Sequence, residues 1–155
     1  MIYNNYDSML RVVVDVNLLI RGTISPKGGS GLLIQALKRR RFLSITSRPH
    51  LEELYRVLGY RRLVAKYKIT QHQRQRLVAQ LYQRSVWVEP IGNLTLCRDP
   101  KDDYMLEMAL LGRATHLISE DKDFYDDPNL IMFLNQRGVN LVRLGEFFSV
   151  LRSKS

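Results

Sequence analysis

Apolar positions along the chain follow two alternating patterns. Short β-branched runs are separated by segments in which apolar residues recur at helical spacing. The first run is Arg11-Val12-Val13-Val14-Asp15. Apolar on both faces, it reads as a central parallel strand. Residues 25–31 read as a loop, and Leu32, Leu33, Ala36 and Leu37 then repeat at helical spacing up to Lys38. Residues 42–45 read as a second strand. Ser47 is placed to cap a helix with Pro49 in its first turn. That helix buries Leu51, Leu54 and Leu58 and stops near Gly59. Thr70-Gln71-His72-Gln73 has capping-box spacing ahead of Leu77, Val78 and Leu81. Residues 86–88 read as a third strand. Asp99-Pro100 opens a helix through Met105, Leu106, Ala109 and Leu110 that ends near Gly112. Residues 116–119 and 141–144 are a fourth and a fifth strand, and residues 146–151 a closing helix. Cys97 reads as a small buried residue, and Trp87, Phe147 and Phe148 as core. This alternation predicts an α/β fold, a doubly wound and mainly parallel sheet between helical layers.

Composition narrows the class. The chain has 155 residues, 45% of them hydrophobic and 25% charged, which fits one ordinary domain over residues 11–152 with a polar, peripheral segment 1–10. One cysteine forms neither an intrachain disulfide nor a Cys-rich metal site. No apolar run approaches the ~20 residues of a membrane helix. The first seven residues lack the pattern of a secretory leader, so the expected location is the cytoplasm, with no membrane partner.

Charge sharpens the question of function. Lys and Arg number 24 against 15 Asp and Glu, a net charge of +9, and the pI is near 9.9. Such a balance is the footprint of a polyanion binder. Yet nine of the fifteen acids lie between Asp99 and Asp127. In a doubly wound sheet, ligands bind beyond the carboxyl ends of the strands where the strand order reverses. Asp15 ends the first strand and Asp121 follows the fourth, so both project to that edge. Asp103 lies in the first turn of the helix before the fourth strand, and Glu53 lies on the helix after the second. Four carboxylates in one pocket repel unless a proton or a cation intervenes. Hard oxygen donors without His or Cys favour Mg²⁺ or Mn²⁺. A metal in an acidic cleft of a basic protein suits phosphodiester hydrolysis. Neither a Ser–His nor a Cys–His nucleophile pattern is evident.

Four segments together resemble the PIN-domain family. They are Val12-Val13-Val14-Asp15-Val16-Asn17, residues 47–58 around Glu53, Cys97-Arg98-Asp99-Pro100-Lys101-Asp102-Asp103, and Leu117-Ile118-Ser119-Glu120-Asp121-Lys122-Asp123-Phe124. The resemblance is strongest to the VapC-like toxin components of bacterial toxin–antitoxin systems. It implies an α/β/α sandwich and a Mg²⁺- or Mn²⁺-dependent endoribonuclease. Asp15, Glu53, Asp103 and Asp121 then map onto the family's acids, with Asp15, Asp103 and Asp121 on the metal. Asp103 is preferred to Asp102 by the family's spacing to Asp121. Asn17, Ser119, Asp102 and Asp123 map as supporting positions. The resemblance further implies a homodimer held by an antitoxin. Glu120 departs from a common Gly and adds a charge beside Asp121. The basic tract, with Arg39, Arg40, Arg41, Arg61 and Arg62, reads as an RNA-binding face. Residues 28–31 are not a P-loop, because no Gly-Lys-Ser/Thr follows. A haloacid-dehalogenase-type phosphatase would want a second Asp where Asn17 stands. A receiver domain would want a phosphorylatable Asp after the middle strand, where Glu89-Pro90 stands. The remaining alternative is a non-catalytic RNA-binding module with the same fold.

Overall fold

The computed structural model describes residues 9–97 and 99–154. Most of the expected N-terminal peripheral segment (residues 1–8) and Arg98 of the third motif lie outside the described residues. Among the described residues, five strands form one sheet: β1 (Arg11–Val14), β2 (Leu43–Thr46), β3 (Ser85–Trp87), β4 (His116–Ile118) and β5 (Asn140–Val142). Their order is β3-β2-β1-β4-β5, and each neighbouring pair runs parallel. The helices are α1 (Val16–Ile24), α2 (Gly29–Lys38), α3 (Arg48–Leu58), α4 (Arg61–Tyr67) and α5 (Gln71–Arg84), followed by α6 (Asp103–Leu111), α7 (Lys122–Tyr125), α8 (Pro128–Gln136) and α9 (Leu144–Ser153).

The Val run shows why the sheet is central. Val12 and Val14 pack into one core with side chains of α1, α2, α3, α5 and α9. Val13 packs into a second core with α6, α7 and α8. Alternate residues of a strand point to opposite faces, so β1 must be apolar throughout. The result is the expected three-layer α/β/α sandwich.

Local signals place several helix ends as read. Ser47 Oγ accepts the His50 N–H and caps α3, with Pro49 in the first turn. Thr70 and Gln73 exchange both bonds of a capping box at the start of α5. Elsewhere packing overrides the pattern. The segment read as a loop over 25–31 is helical from Gly29, because α2 lies very close to α1. A Cβ at Gly22 of α1 would stand 2.6 Å from the Ser30 carbonyl oxygen of α2, so only glycine fits the approach. Helix α1, unmarked in the sequence, buries Val16, Leu18, Leu19 and Ile20; its apolar residues merge with the strand's run and hide the helical period. Helices α4, α7 and α8 likewise lack a distinct stripe.

Phe147 is fully buried, but Trp87 is not. Its side chain is 39% exposed and meets the Tyr82 ring edge-on. The expectation of a core Trp fails because β3 is an edge strand, paired on one side only. Cys97 is partly buried against the second core. Among the described residues, no helix is long and apolar enough to cross a membrane.

Candidate active site

The chain leaves β1 for β2 and β3 on one side and returns to β4 and β5 on the other. The strand order therefore reverses beside β1, and the crevice beyond the carboxyl ends of β1 and β4 is the natural site. Asp15 sits there, 4% exposed. Its backbone N–H continues the ladder to the Ile118 carbonyl at 3.0 Å. Its side chain caps α1. One oxygen accepts the Asn17 N–H at 3.1 Å, and the other accepts the Ser119 hydroxyl at 2.7 Å. Ser119 Oγ in turn accepts the Asp121 N–H at 3.0 Å. Asp121 caps α7 by accepting the Asp123 N–H at 2.9 Å. A short chain of hydrogen bonds thus ties the two acidic loops to each other across the sheet.

Burial is the main cause that raises the Asp15 carboxyl above its ordinary pKa. The bonds from Ser119 and Asn17 pull it back, and the charges of Asp121 and Glu53 push it up again. Asp102 is pushed up to about 7, first by burial and then by Asp15, Asp99, Asp121 and Glu53. Asp15, Glu53, Asp102 and Asp121 therefore share one field. Glu53 is held by the Tyr104 hydroxyl, which donates to Oε2. Burial first, and then this bond, raise the Tyr104 phenol.

Asp103 has a different setting from the one expected. Its Oδ1 accepts the Leu96 and Cys97 N–H groups at 2.9 and 2.7 Å. One turn later on α6, Glu107 accepts the Ile91 and Gly92 N–H groups at 2.7 and 3.0 Å. Residues four apart share a helix face, so this pair clamps the segment before α6. The neighbouring Asp102, at the end of a 3₁₀ turn over Pro100–Asp102, lies within the field of the other carboxylates. Asn17 presents its backbone to Asp15 while its side chain is exposed, and Asp123 is exposed on α7. Glu120 is turned away from the cluster. It accepts the Leu144 N–H at 2.8 Å and pairs with Arg143 at 3.2 Å, at the start of α9.

The arginines are not gathered at this edge. Arg39, Arg40 and Arg41 occupy the turn that enters β2 at its amino end, on the opposite edge of the sheet, and Arg61 and Arg62 are exposed in the first turn of α4. Nearer the site, Arg56 and Lys101 line a cleft of about 360 Å³ together with Pro49, Glu52, Glu53 and Tyr104.

Two contributors went unread in the sequence. Tyr104 carries no motif signal; only its partner 51 residues away gives it meaning. His50 is fully buried below the site. Its Nε2–H donates to the Val14 carbonyl at 2.7 Å, and its Nδ1 accepts the Thr46 hydroxyl at 2.9 Å. It fixes the last residue of β1 before Asp15. Burial is the main cause that lowers its pKa to about 4.

The donor set fits a hard divalent cation: carboxylate oxygens, with no thiolate or imidazole offered. Burial and then Asp103 raise the Cys97 thiol above its ordinary pKa, so it stays protonated. Asp15, Asp102 and Asp121 are the residues that would hold the ion, with Glu53 beside them. Among the described residues, no three His, Cys, Asp or Glu side chains converge at ligating distance. The four carboxylates stand at Coulombic range, as mutually repelling charges do.

Comparison with known proteins bears on the fold and the family. A protein of Methanocaldococcus jannaschii, described only as uncharacterized, is 26% identical over 131 residues, 81% of each chain. A chain in the crystal structure of VapBC2 from Rickettsia felis, bound to a DNA fragment from their promoter, has a similar fold. Its TM-score is 0.51 at 14% identity, covering 86% of this chain and 98% of that one. The family profile described as PIN domain matches residues 11–123, which span β1, the acidic α6 region and the loop after β4. On that match, which takes in Asp15, Glu53, Asp102 and Asp121, the chain belongs to the PIN domain family.

Proposed function

We propose that this chain is a Mg²⁺- or Mn²⁺-dependent endoribonuclease, and that Asp15, Glu53, Asp102 and Asp121 form its active site. The observation that carries the reading is the buried Asp15 carboxylate, hydrogen-bonded for orientation and surrounded by Glu53, Asp102 and Asp121 at Coulombic range. Retaining such repulsion costs stability, and a divalent cation turns it into binding energy. Bound there, the ion would activate water and stabilise the charge that develops on the phosphorus oxygens. Ser119 and the Asn17 amide aim the two Asp15 oxygens. Tyr104 holds Glu53 in place to orient the attacking water. Arg56 and Lys101 attract the phosphate backbone beside them. Hydrolysis by this route leaves a 3′-hydroxyl and a 5′-phosphate. Asp102 takes the ligating place, and Asp103 anchors the segment that precedes it.

The biological setting we infer is the toxin half of a toxin–antitoxin pair, acting in the cytoplasm as a homodimer with an antitoxin protein covering the site. The similarity to a chain of a VapBC complex supports this. Cleavage of a mixed structured RNA pool with Mn²⁺, Mg²⁺ or EDTA tests the chemistry. Cleavage that needs the metal and disappears in Asp15→Asn is expected. Asp102→Asn should match it, while Asp103→Asn keeps part of the activity. A folded protein that binds RNA but cuts none with either metal would overturn the reading in favour of a binding module.

A further inference from the structure

A second cavity, of about 320 Å³, opens between α1, α2 and α5. It shares no lining residue with the carboxylate site. Gly22 in the last turn of α1 borders it, about 10 Å along that helix from Asp15 at 1.5 Å per residue. Its size falls in the range of ligand pockets.

The lining has one sign of charge. Lys38 and Arg76 stand on its rim with Gln35 and Gln80. Arg84 is drawn to the same place, since its Nε–H donates to the Lys38 carbonyl at 3.2 Å. No Asp or Glu among the described residues lines the cavity. Among the described residues, no carboxylate forms an ion pair with Lys38, Arg76 or Arg84. Partial burial, and then the two guanidinium groups, hold the Lys38 ammonium below its ordinary pKa. Like charges gathered without counter-charge cost free energy that an anion would return. The inner surface is of another kind. Ile34, Leu77 and Gly31 line it, and Gly31 cannot carry a side chain. Apolar floor and cationic rim together suit a ligand with a flat ring and a phosphate.

The geometry points to a phosphate-binding pocket of nucleotide size between α1, α2 and α5, with Lys38 and Arg76 as the groups that hold the phosphate and Arg84 in support. Charge-assisted hydrogen bonds to phosphate are the strong ones, and Arg can make two at once. The phosphate could be the terminal one of a free nucleotide or one within an RNA strand; the cationic rim recognises both.

The test is titration of the full chain by calorimetry, with EDTA present so that no strand is cut. The probes are pyrophosphate, adenosine monophosphate and an RNA tetranucleotide without terminal phosphates. Saturable binding is expected that weakens roughly tenfold or more in Lys38→Met/Arg76→Gln. Both residues are exposed, so the double variant should fold with an unliganded Tm no lower than that of the wild type. Asp15→Asn should bind as the wild type does, which separates this pocket from the carboxylate site. Binding of the two small probes alone assigns a free nucleotide, and binding of the tetranucleotide alone assigns a strand. Absence of binding by all three, or binding unchanged in the double variant, would overturn the proposal.

Discussion

His50 and Asp102 carry ionisations of opposite sign, one beneath the site and one within it. The His50 ring is neutral in the folded protein down to about pH 4, but it takes up a proton near pH 6.5 when unfolded. Its contribution is complete above pH 6.5 and is lost as pH falls toward 4. That difference in proton affinity is worth about 3 kcal/mol, since each tenfold change is worth ~1.4 kcal/mol. Asp102 runs the other way. Its folded pKa of about 7 lies above the unfolded value of 3.8, so ionisation costs stability as pH rises through that window. Urea melts from pH 4 to 8 should therefore find Asp102→Asn more stable than the wild type at pH 8 and equal to it near pH 4. His50→Gln should flatten the acid limb between pH 6.5 and 4 and lose stability at neutral pH. Equal pH slopes in wild type and His50→Gln would contradict the burial of a neutral ring. Tyr104→Phe removes one donor from Glu53 and little volume. It should lower the cleavage rate about tenfold while changing stability by under about 1.5 kcal/mol; an unchanged rate would show that Glu53 needs no holding.

At the scale of elements, α6 divides its acids by direction. Asp103 and Glu107 hold four backbone N–H groups of the segment over 91–97. Removing either acid leaves two donors without partners, which costs about 1–3 kcal/mol. Both bind one segment, so the double variant Asp103→Ala/Glu107→Ala should cost less than the sum of the single ones. Thermal melts of the three variants check this, and strict additivity would mean that the segment does not move as a unit. The same element shows how far the sequence could be read. Asp99-Pro100 opens a 3₁₀ turn and the α-helix itself starts only at Asp103, whereas the end of the helix near Gly112 follows from local signals. The choice between Asp102 and Asp103 does not, because successive residues on a turn of helix point about 100° apart. Only the docked segment shows that Asp103 is engaged by the Leu96 and Cys97 N–H groups.

For the whole molecule, the notable arrangement is an acidic pocket inside a chain of net charge +9. Mn²⁺ should raise the Tm of the wild type, because an ion bound only by the folded state stabilises it by mass action. Asp102→Asn should reduce that rise and Asp15→Asn should abolish it. A rise of the same size in all three proteins would place the ion elsewhere. The structure also places basic residues at both edges of the sheet. Arg39–Arg41 sit at the far edge of the sheet, whereas Arg56 and Lys101 stand beside Glu53.

What the sequence determined by itself was whatever depends on neighbours a few residues apart. The Val run of β1, the Ser47 and Thr70 caps, and the alternation that makes a parallel sandwich all rest on short-range sterics and hydrogen bonds. Their periods and end signals are written locally. Parallel pairing then places Asp15 and Asp121 at one edge, although 106 residues separate them. The tertiary structure alone decided the contacts whose partners are remote. Ser119 reaches Asp15 from 104 residues away, Tyr104 reaches Glu53 from 51, and His50 reaches Val14 from 36. It also decided that Trp87 stays partly in water on an edge strand and that Glu120 turns toward α9. Such outcomes depend on which surfaces the packed layers bring together, and no local pattern encodes that.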